Sequence, residues 1–521
     1  MNRRDLLVAL LGASFAGCAR RSPPLPPGEL IGADLTLGHR LREPLRQRPT
    51  RWEKTPLLIV GGGVAGLSAA WHLRRRGFRD FRLVELEPVL GGTARSGGGP
   101  IPHPWGAHYL PAPNADNIEL LALLREMHVV EGTDPDSGEP LFAEHILCRD
   151  PHERLFARGQ WHEGLWLSAG ASADDEAQRK RFYAEVSRWI AWRDGRQRRA
   201  FTLPSRLGST DRDVLDLDRL SMAEWLRERG FSSRRLLWQI DYACRDDYGA
   251  HPSEVSAWAG LFYFASRRGE PDSDAQPLLT WPEGNGRLVA HLASGQKPET
   301  GWAVAEVKAT PTGAEVVAIN AQGECRGWQA RAVIFAGPRF VAQRVLHGLP
   351  PTPEPFTYGA WMVANLHLRD RPRETGVPLC WDNVLYDSPS LGYVVATHQQ
   401  GIDHGPSIWT YYYPLCDSNA HTARARLYEY GRDEWAEVAL ADLERAHPDL
   451  RSLVTRIDIM RWGHAMIRPT VGYFRSRQQV SVRHECVWLA HSDSTGLPLF
   501  EEAFDSGLHA AEGALAYLRS S

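Results

Sequence analysis

Residues 57–97 read LLIVGGGVAGLSAAWHLRRRGFRDFRLVELEPVLGGTARSG, and this stretch decides the fold of the 521-residue chain. The apolar run 57–60 predicts a buried strand, and the segment 67–76 predicts a helix that ends at a glycine. A second strand is predicted over 81–84. A strand, a glycine-rich turn, a helix and a second strand in this order predict a βαβ unit of the Rossmann type.

Three glycines between the first strand and the helix have the spacing G-x-G-x-x-G. Gly61 permits the tight turn, Gly63 lets a pyrophosphate approach the backbone, and Gly66 lets the helix pack closely on the strand. The free amides at the start of the helix, near Val64 and Ala65, attract phosphate. The sequence therefore predicts a dinucleotide-binding turn.

An acid ends the second strand of this unit. Glu85 lies about 20 residues beyond the glycines, where a carboxylate accepts hydrogen bonds from ribose hydroxyls. We expect the adjacent Leu86 to line the same pocket. An acid at this position argues against a nucleotide that carries a 2′-phosphate.

A second glycine segment, residues 87–95, reads EPVLGGTAR. It resembles the second glycine signature of the flavin-containing amine oxidase family, which includes monoamine and polyamine oxidases, phytoene desaturases and protoporphyrinogen oxidase. The resemblance implies that the cofactor is FAD, bound non-covalently, rather than NAD. It also implies that Gly91, Gly92, Thr93 and Arg95 lie against the FAD phosphates and ribityl chain.

Two middle segments are similar to the same family. The segment 281–288, WPEGNGRL, resembles its lead into the second section of the FAD domain, and Val304 would then lie beside the adenine. The segment 332–338, AVIFAGP, resembles the strand that returns to the cofactor, with Ala336 and Gly337 at its end.

The end of the chain also resembles this family. Residues 487–493, VWLAHSD, are similar to its late strand and turn, and residues 500–507, FEEAFDSG, to the start of its last helix. The resemblance implies cofactor contacts at Asp493, Glu502 and Ala503. The family usually has glycine where this chain has Glu502, and we expect the Glu502 carboxylate to point to solvent.

These segments define an α/β protein, in which an FAD-binding Rossmann-like domain of the FAD/NAD(P)-binding type is interleaved with an α+β substrate domain. The FAD domain is predicted over 55–135, 280–345 and 455–521, the substrate domain over 136–279 and 346–454, an export and lipoprotein signal over 1–18, and a Pro-rich tether and lead-in over 19–54. Within the substrate domain we predict helices over 174–192 and 221–229 and strands over 361–368, 391–397 and 407–413.

The first residues indicate export. The twin arginines Arg3 and Arg4 precede a short apolar run and small residues before Cys18, a pattern that resembles a twin-arginine signal ending in a lipoprotein cleavage site. We expect passage through the twin-arginine export machinery, lipidation of Cys18, and a membrane anchor on the periplasmic side of the cell envelope. The alternative is an ordinary cleaved signal with an incidental cysteine. Residues 20–28 would form a polyproline tether.

Composition limits the partners. A net charge of -3 and a pI near 6.7 give no electrostatic basis for nucleic-acid binding. No Cys/His spacing predicts a metal site. The cysteines are expected to be scattered buried thiols, and Cys486 a thiol of the strand core rather than a covalent link to flavin.

Residues 461–469, RWGHAMIRP, resemble the family's segment beside the isoalloxazine ring. Trp462 would stack near the ring, and His464 is either a proton acceptor or a structural histidine. Many amine oxidases of this family hold a lysine near flavin N5. None of the four lysines of this chain stands at a matching position, so that role is not transferred.

Two further clusters allow two interpretations each. The run 411–413, YYY, places Tyr412 on one face of a strand and its neighbours on the other, where aromatics either cage a cation or pack in a sheet. The run 245–247, RDD, either binds a polar substrate or forms a surface ion network, which is the interpretation that we favour.

The sequence thus predicts an FAD-dependent oxidoreductase that resembles amine oxidases and transfers hydride from a C–H bond of a small-molecule substrate, such as an amine or polyamine, to flavin N5. One alternative is an FAD-dependent desaturase of a lipid-like substrate. Another is a non-catalytic flavoprotein lipoprotein of an envelope assembly. An amine oxidase should show an aromatic cage with a carboxylate, a desaturase a long apolar tunnel, and a structural subunit no substrate-sized cavity.

Overall fold

The fold was described from a computed structural model, which covers residues 24–267, 277–352, 356–374, 376–477 and 480–520. The predicted signal with Cys18, and residues 19–23 of the predicted tether, lie outside this part of the chain. Among the described residues, no helix combines the length and the apolar character that crossing a bilayer requires.

A seven-stranded sheet carries the predicted βαβ unit. Its central pair is parallel, with Leu57 opposite Ala332 and Val60 opposite Phe335, and the second strand of the unit adds on the far side. The strands run in the order Ala303–Thr310, Gly313–Ile319, Cys325–Phe335, Trp52–Val60 and Phe81–Val84, with Val487–Leu489 pairing the end of the third and Arg483–His484 beside it. Helices Val64–Arg75 and Phe500–Ser520 pack together on this sheet. The predicted Rossmann-like domain is confirmed.

An eight-stranded sheet forms the second layer. Its strands run in the order Leu30–Gly32, Val454–Ile467, Tyr358–Leu368, Ser407–Pro414, Tyr393–Val395, Asp382–Leu385, Glu153–Ala157 and Gln160–Glu163. Helices Ala420–Glu429 and Arg432–Leu443 cover one face of this sheet. The strands predicted over 361–368, 391–397 and 407–413 all lie in it.

Helices and short hairpins complete the fold. The predicted helices are present as Ala173–Ala191 and Met222–Glu228, and each begins with a serine whose side chain caps the third amide. The further helices are Leu35–Arg40, Ile118–Glu126, Arg212–Leu215, Arg234–Tyr248, Ala257–Ala265, Gly286–Ala293, Arg339–Val345, Leu450–Leu453 and Tyr473–Ser476. Short strand pairs are Leu278–Thr280 with Tyr109–Pro111, Ser96–Gly97 with His103–Pro104, and Val130–Thr133 with Pro140–Phe142.

The structure corrects one predicted domain boundary. The FAD domain was expected to resume at residue 455, but the strand Val454–Ile467 belongs to the eight-stranded sheet. It pairs antiparallel with Tyr358–Leu368 along nearly its whole length, from Ile467 opposite Tyr358 to Val454 opposite Leu368. The chain rejoins the seven-stranded sheet only at Arg483–His484 and Val487–Leu489.

The predicted tether is also corrected for residues 24–28. Pro26 is buried, and the carbonyl of Pro27 accepts a hydrogen bond of 2.9 Å from the amide of Ile457. A Cβ on Gly28 would lie 1.7 Å from the Ile457 carbonyl oxygen. This polyproline segment is therefore packed against the eight-stranded sheet and is not a free linker.

Candidate active site

A cleft of about 810 Å³ lies between the two sheets. The predicted glycine turns, the acid of the second strand and the late turn of the chain all reach it. The predicted site residues that line it are Gly61, Gly63, Val64, Ala65, Glu85, Leu86, Gly91, Gly92, Thr93, Val304, Ala336, Gly337, Trp462, His464, Asp493 and Ala503. Segments that are far apart in the sequence therefore meet where the dinucleotide was predicted.

The first glycine turn has the geometry that a pyrophosphate needs. Gly61 adopts a φ of +107°, a conformation that residues with a side chain rarely take. A Cβ on Gly66 would lie 1.9 Å from the Gly61 carbonyl oxygen, so the helix approaches the turn as closely as glycine allows. A Cβ on Gly63 would meet nothing within 4 Å, which leaves room above the turn for a ligand.

Glu85 fits its predicted role. One carboxylate oxygen accepts a hydrogen bond of 2.7 Å from the Glu87 amide, and the other accepts one from the Gly62 amide. These bonds fix the carboxylate at the edge of the cleft, and each oxygen keeps a lone pair for a ribose hydroxyl. Burial raises the pKa of Glu85 above its usual value, against the effect of these bonds.

Arg95 does not line the cleft as predicted. Its guanidinium lies 4.9 Å from the centre of a Trp462 ring, and Nη2 faces the Gly32 carbonyl oxygen at 3.4 Å. The strand Leu30–Gly32, which the sequence did not predict, provides this carbonyl. The arginine is thus packed behind the cleft wall.

Glu502 does not point to solvent, and that prediction is wrong. The side chain is 1% exposed, and its carboxylate accepts hydrogen bonds from the Ser205 amide at 2.5 Å and the Ser205 hydroxyl at 3.1 Å. The Arg477 guanidinium also lies near enough to oppose the rise in the Glu502 pKa that burial causes. The Glu502 side chain therefore links helix Phe500–Ser520 to the turn at Ser205 and does not line the cleft.

Trp462 and His464 occupy different places. Trp462 donates a hydrogen bond of 2.6 Å from Nε1 to the Trp105 carbonyl oxygen and lines both the cleft and a smaller cavity beside it. His464 lines only the cleft, where its ring stacks on Phe340 at 4.4 Å between centroids. Burial lowers the pKa of His464 to about 4, so its imidazole is neutral at pH 7.

The adjoining cavity has a volume of about 150 Å³. Its wall toward the cleft consists of residues that line both spaces. These shared residues are Thr93, Ala107, Trp462, Ala465, Met466, Pro498, Leu499 and Phe500. A group held at this wall would therefore face both a bound cofactor and a molecule in the cavity.

Charged side chains line the far side of the cavity. Asp246, Asp247, Arg267 and Glu501 all border it. The favoured interpretation of the run 245–247 as a surface ion network is wrong, because Arg245 and Asp247 are each only 4% exposed. Glu501 is equally buried. Arg245 turns away and donates a hydrogen bond of 2.9 Å to the Pro389 carbonyl oxygen.

The charges in the cavity do not balance. Arg267 Nη2 donates to both carboxylate oxygens of Asp247, at 2.9 and 2.6 Å. Among the described residues, neither Asp246 nor Glu501 forms an ion pair. Burial raises the pKa of Glu501 to about 7, and burial together with the nearby Asp247 raises that of Asp246.

Aromatic rings form the remaining walls. Tyr412 stacks on His108 at 4.7 Å between centroids, and Trp361 lies beside them. The predicted alternation holds, since the Tyr411 hydroxyl donates to Asp442 on the other face of the strand and Tyr413 packs against Trp435. Burial lowers the pKa of His108 to about 4.

Comparison with known proteins agrees with this geometry. The family model for flavin containing amine oxidoreductase matches residues 64–515. The chain belongs to this family. It is an FAD-dependent oxidoreductase. A search of curated proteins found no match.

Solved structures show the same fold as this flavin-containing amine oxidoreductase. Putrescine oxidase bound to putrescine is 17% identical with a TM-score of 0.66, over 89% of this chain and 100% of that one. Cyclohexylamine oxidase from Brevibacterium oxydans is 15% identical with a TM-score of 0.62, over 89% and 99%. A CLA-producing fatty acid isomerase from P. acnes is 15% identical with a TM-score of 0.61, over 88% and 98%.

The residues that were predicted to hold FAD meet in the large cleft of this amine oxidoreductase. The turn at Gly63 would receive the pyrophosphate, Glu85 the ribose, and the wall shared with the cavity the isoalloxazine ring. Cys486 donates from Sγ to the Gly313 carbonyl oxygen at 3.1 Å inside the seven-stranded sheet, so this thiol is turned away from the cleft. When bound, FAD supplies the acceptor for a hydride and two electrons.

Sequence reasoning missed three residues of the cavity. Asn285 lies in the segment WPEGNGRL, Glu501 precedes the noticed Glu502, and Arg267 follows an apolar helix. The apolar run 257–265 before Arg267 was the available signal, since a charge that ends a buried helix requires a buried partner. For the other two positions, the sequence contains no signal of which face the side chain occupies.

Proposed function

We propose that this protein oxidises a small primary amine, which binds as a cation in the cavity beside the FAD cleft. The observation that carries the proposal is the surplus of carboxylates that line that cavity. Asp246, Asp247 and Glu501 oppose the single guanidinium of Arg267, which Asp247 already neutralises. Two carboxylates are thus available to a cationic ligand.

Unpaired polar atoms support a nitrogen ligand. The Asn285 side-chain oxygen is buried on the cavity wall without a hydrogen-bond partner among the described residues. An acceptor that is buried without a partner costs about 1–3 kcal/mol, which a ligand N–H would recover. Asn285 Oδ1 and the two carboxylates are all acceptors, and an ammonium group has only donors to offer.

The size of the cavity favours a small amine over a lipid. A cavity of about 150 Å³ can hold a molecule the size of benzene. A desaturase of a lipid-like substrate was expected to have a long apolar tunnel, and this cavity is small and acidic. A non-catalytic subunit was expected to have no substrate-sized cavity beside the flavin.

Each of the residues around the cavity has its own role in the proposed reaction. Glu501 and Asp246 attract the ammonium group, and Asn285 orients it. Tyr412 and Trp361 enclose the carbon chain and exclude water. Hydride leaves the carbon next to the nitrogen only after the nitrogen has lost its extra proton. The Asp246 carboxylate can take that proton, because its raised pKa makes it a better base than an exposed aspartate.

The test is anaerobic bleaching of the flavin absorbance by cyclohexylamine, by putrescine and by a cis-unsaturated fatty acid. We expect bleaching by at least one amine and none by the fatty acid. Asp246→Asn should raise the amine concentration for half-maximal bleaching by about tenfold or more, since a charge-assisted contact contributes about 1.5–3 kcal/mol.

The matched control is Asp403→Asn, which removes an equal charge from a fully exposed side chain. It should leave the bleaching curve unchanged. Bleaching by the fatty acid alone, or an Asp246→Asn variant with the parental response to amines, would show that the proposed substrate class is wrong.

We propose in addition that the protein is exported by the twin-arginine route and anchored through a lipid on Cys18 at the periplasmic side of the envelope. The supporting pattern is Arg3-Arg4, the apolar run and the small residues before Cys18. The six residues from Cys18 to Pro24 span at most about 20 Å, so the packed segment that begins at Pro24 would lie close to the membrane surface.

Fractionation of cells tests this localisation. The parent should be found in the membrane fraction, Cys18→Ala in the soluble periplasm, and the double variant Arg3→Lys, Arg4→Lys in the cytoplasm. Cys325→Ala is the control and should behave as the parent. A mature N-terminus without lipid mass, or export that persists without the twin arginines, would contradict the proposal.

A further inference from the structure

The first described residues cross the mouth of the FAD cleft. Strand Leu30–Gly32 pairs in parallel with Ile459–Arg461 at the edge of the eight-stranded sheet. Helix Leu35–Arg40 follows, and the chain then reaches the seven-stranded sheet. We call residues 24–48 the N-terminal strap. It lies before residue 64, where the match to the family model begins.

The strap is anchored on the eight-stranded sheet by backbone and side-chain bonds. The Ile459 amide donates to the Glu29 carbonyl oxygen at 2.8 Å, and the Glu29 amide donates to Asp458 Oδ1 at 2.8 Å. Arg456 Nη2 donates to the Glu29 carboxylate, also at 2.8 Å. This end is held as a regular member of the sheet.

The other end is anchored on the seven-stranded sheet. Leu37 is 2% exposed and packs with Ala303 and Ile319. Arg40 Nη1 donates to the Asn320 carbonyl oxygen at 2.8 Å. Because strands of both sheets hold the strap, it links the two layers across the opening between them.

Between these anchors, the strap forms a wall of the cleft. Seven of its residues between positions 33 and 42 line the cleft. The Asp34 amide donates to Glu87 Oε1 at 2.8 Å, and the Glu87 amide in turn donates to Glu85. The strap is therefore bonded to the segment that carries the predicted ribose ligand.

The strap also brings positive charge to a cleft that receives an anion. His39 and Arg42 both line the cleft, and Arg42 is exposed, with no ion pair among the described residues. Burial and the charges of Arg424 and Arg42 lower the pKa of His464, a residue of the eight-stranded sheet that lines the same cleft. Arg95 contacts the Gly32 carbonyl oxygen of the strap and does not line the cleft. Arg344 and Arg424 also line it, and Arg42 adds a guanidinium from the strap that complements phosphate.

We propose that the N-terminal strap is part of the cofactor site, that it closes over FAD after the cofactor has entered, and that it has to lift before FAD can leave. Arg42 adds positive charge near the phosphates, and the buried Leu37 holds the strap against the seven-stranded sheet. FAD release is then slow because it requires local detachment of the strap.

Two variants test the strap without relying on enzyme activity. Leu37→Ser weakens the anchor, and Arg42→Gln removes the charge while leaving the buried contacts intact. Release of FAD from the purified holoprotein is followed by the rise in flavin fluorescence. We expect Leu37→Ser to release FAD about tenfold faster or more, and Arg42→Gln to raise the Kd for FAD and to weaken its dependence on salt.

Controls separate the strap from general destabilisation. Arg46→Gln changes a strap residue that is exposed and pairs only with Glu43 among the described residues, and it should keep the parental release rate. Leu226→Ser weakens a hydrophobic core among the helices, which contains no residue of the strap. It should also keep the parental release rate at temperatures where the protein stays folded. Parental release from both Leu37→Ser and Arg42→Gln would overturn the proposal.

Limited proteolysis gives an independent measurement. Trypsin cleaves after arginine unless proline follows, and Arg42 and Arg46 are exposed on the strap and precede other residues. The apoprotein should be cut within the strap faster than the holoprotein, and added FAD should restore protection. Equal cutting of the two forms would show that the strap does not respond to the cofactor. These outcomes do not depend on which substrate the enzyme oxidises.

Discussion

Arg267 Nη2 contacts both carboxylate oxygens of Asp247, at 2.9 and 2.6 Å, beside the cavity that adjoins the FAD cleft. The pair is buried, with side chains only 14% and 4% exposed. The charge of Arg267 also opposes the rise that burial causes in the pKa values of Asp246 and Glu501, but one guanidinium cannot balance three carboxylates. This imbalance is what makes the cavity attractive to a cation rather than to an anion.

Removing Arg267 should therefore lower the free energy of unfolding much more than breaking an ion pair on the surface would. Arg267→Gln leaves a buried carboxylate without its partner, and we expect a loss of about 3–5 kcal/mol in the free energy of unfolding. Urea unfolding of the purified apoprotein measures the loss. The double variant Arg267→Gln, Asp247→Asn should recover much of it, because neither charge then remains. A double variant no more stable than the single one would contradict this account.

Glu501 predicts a specific pH dependence. Burial raises the pKa of its carboxyl from 4.5 in the unfolded chain to about 7 in the fold. The carboxyl is neutral in both states below pH 4.5. Between pH 4.5 and 7 the unfolded chain ionises while the folded protein keeps the proton, so the free energy of unfolding falls over this range and the loss is complete above pH 7. The full cost is about 3 kcal/mol, at 1.36 kcal/mol for each unit.

Glu501→Gln should therefore be more stable than the parent at pH 8, and this advantage should shrink toward pH 5. Amine binding should change in the opposite sense, since the parent gains a carboxylate for the cation as the pH rises through 7, whereas the variant does not. Unfolding free energies and bleaching curves at both pH values measure the two effects. A stability difference that is constant with pH would show that Glu501 ionises normally in the fold.

The cofactor half of the site could be predicted from the sequence because its signals are local. The glycine spacing around Gly61, the acid at Glu85 and the doublet Gly91-Gly92 each reflect a backbone requirement that few residues satisfy. These positions do line the cleft. The helices predicted over 174–192 and 221–229 also followed from local periodicity, and in the structure each begins after a capping serine, Ser172 or Ser221.

The substrate half could not be predicted because burial there is a tertiary property. Asp246 and Asp247 lie on a helix whose sequence also suits a charged surface. Only the packing of that helix against the cavity makes Asp247 buried and Asp246 partly buried. The positions of the Glu502 and Arg95 side chains could not be predicted for the same reason. Their partners, Ser205 and the Gly32 carbonyl oxygen, are 297 and 63 residues away in the sequence.

The Glu502 contact with Ser205 should stabilise the start of the last helix. Glu502→Ala leaves the buried Ser205 amide without an acceptor and removes the carboxylate near Arg477, and we expect it to cost about 2–3 kcal/mol in unfolding free energy. Glu502→Gln keeps an acceptor oxygen and should cost less. Glu429→Ala, at an exposed position, is the control. Equal stability of the alanine and glutamine variants would show that the Ser205 hydrogen bonds contribute little.

A matched set of glycine variants separates cofactor binding from folding. At Gly63 the backbone φ is -76° and an added Cβ meets nothing within 4 Å, so Gly63→Ala should leave the stability of the apoprotein unchanged. Its methyl group would occupy the space reserved for the pyrophosphate, and FAD affinity should fall by about tenfold or more.

Gly66→Ala differs, because its Cβ would lie 1.9 Å from the Gly61 carbonyl oxygen and should destabilise even the apoprotein. Gly98→Ala, where an added Cβ also meets nothing within 4 Å and which does not line the cleft, should change neither property. Calorimetry of the apoproteins and fluorescence titration with FAD measure both quantities, and parental FAD affinity in Gly63→Ala would show that the cofactor does not approach this turn.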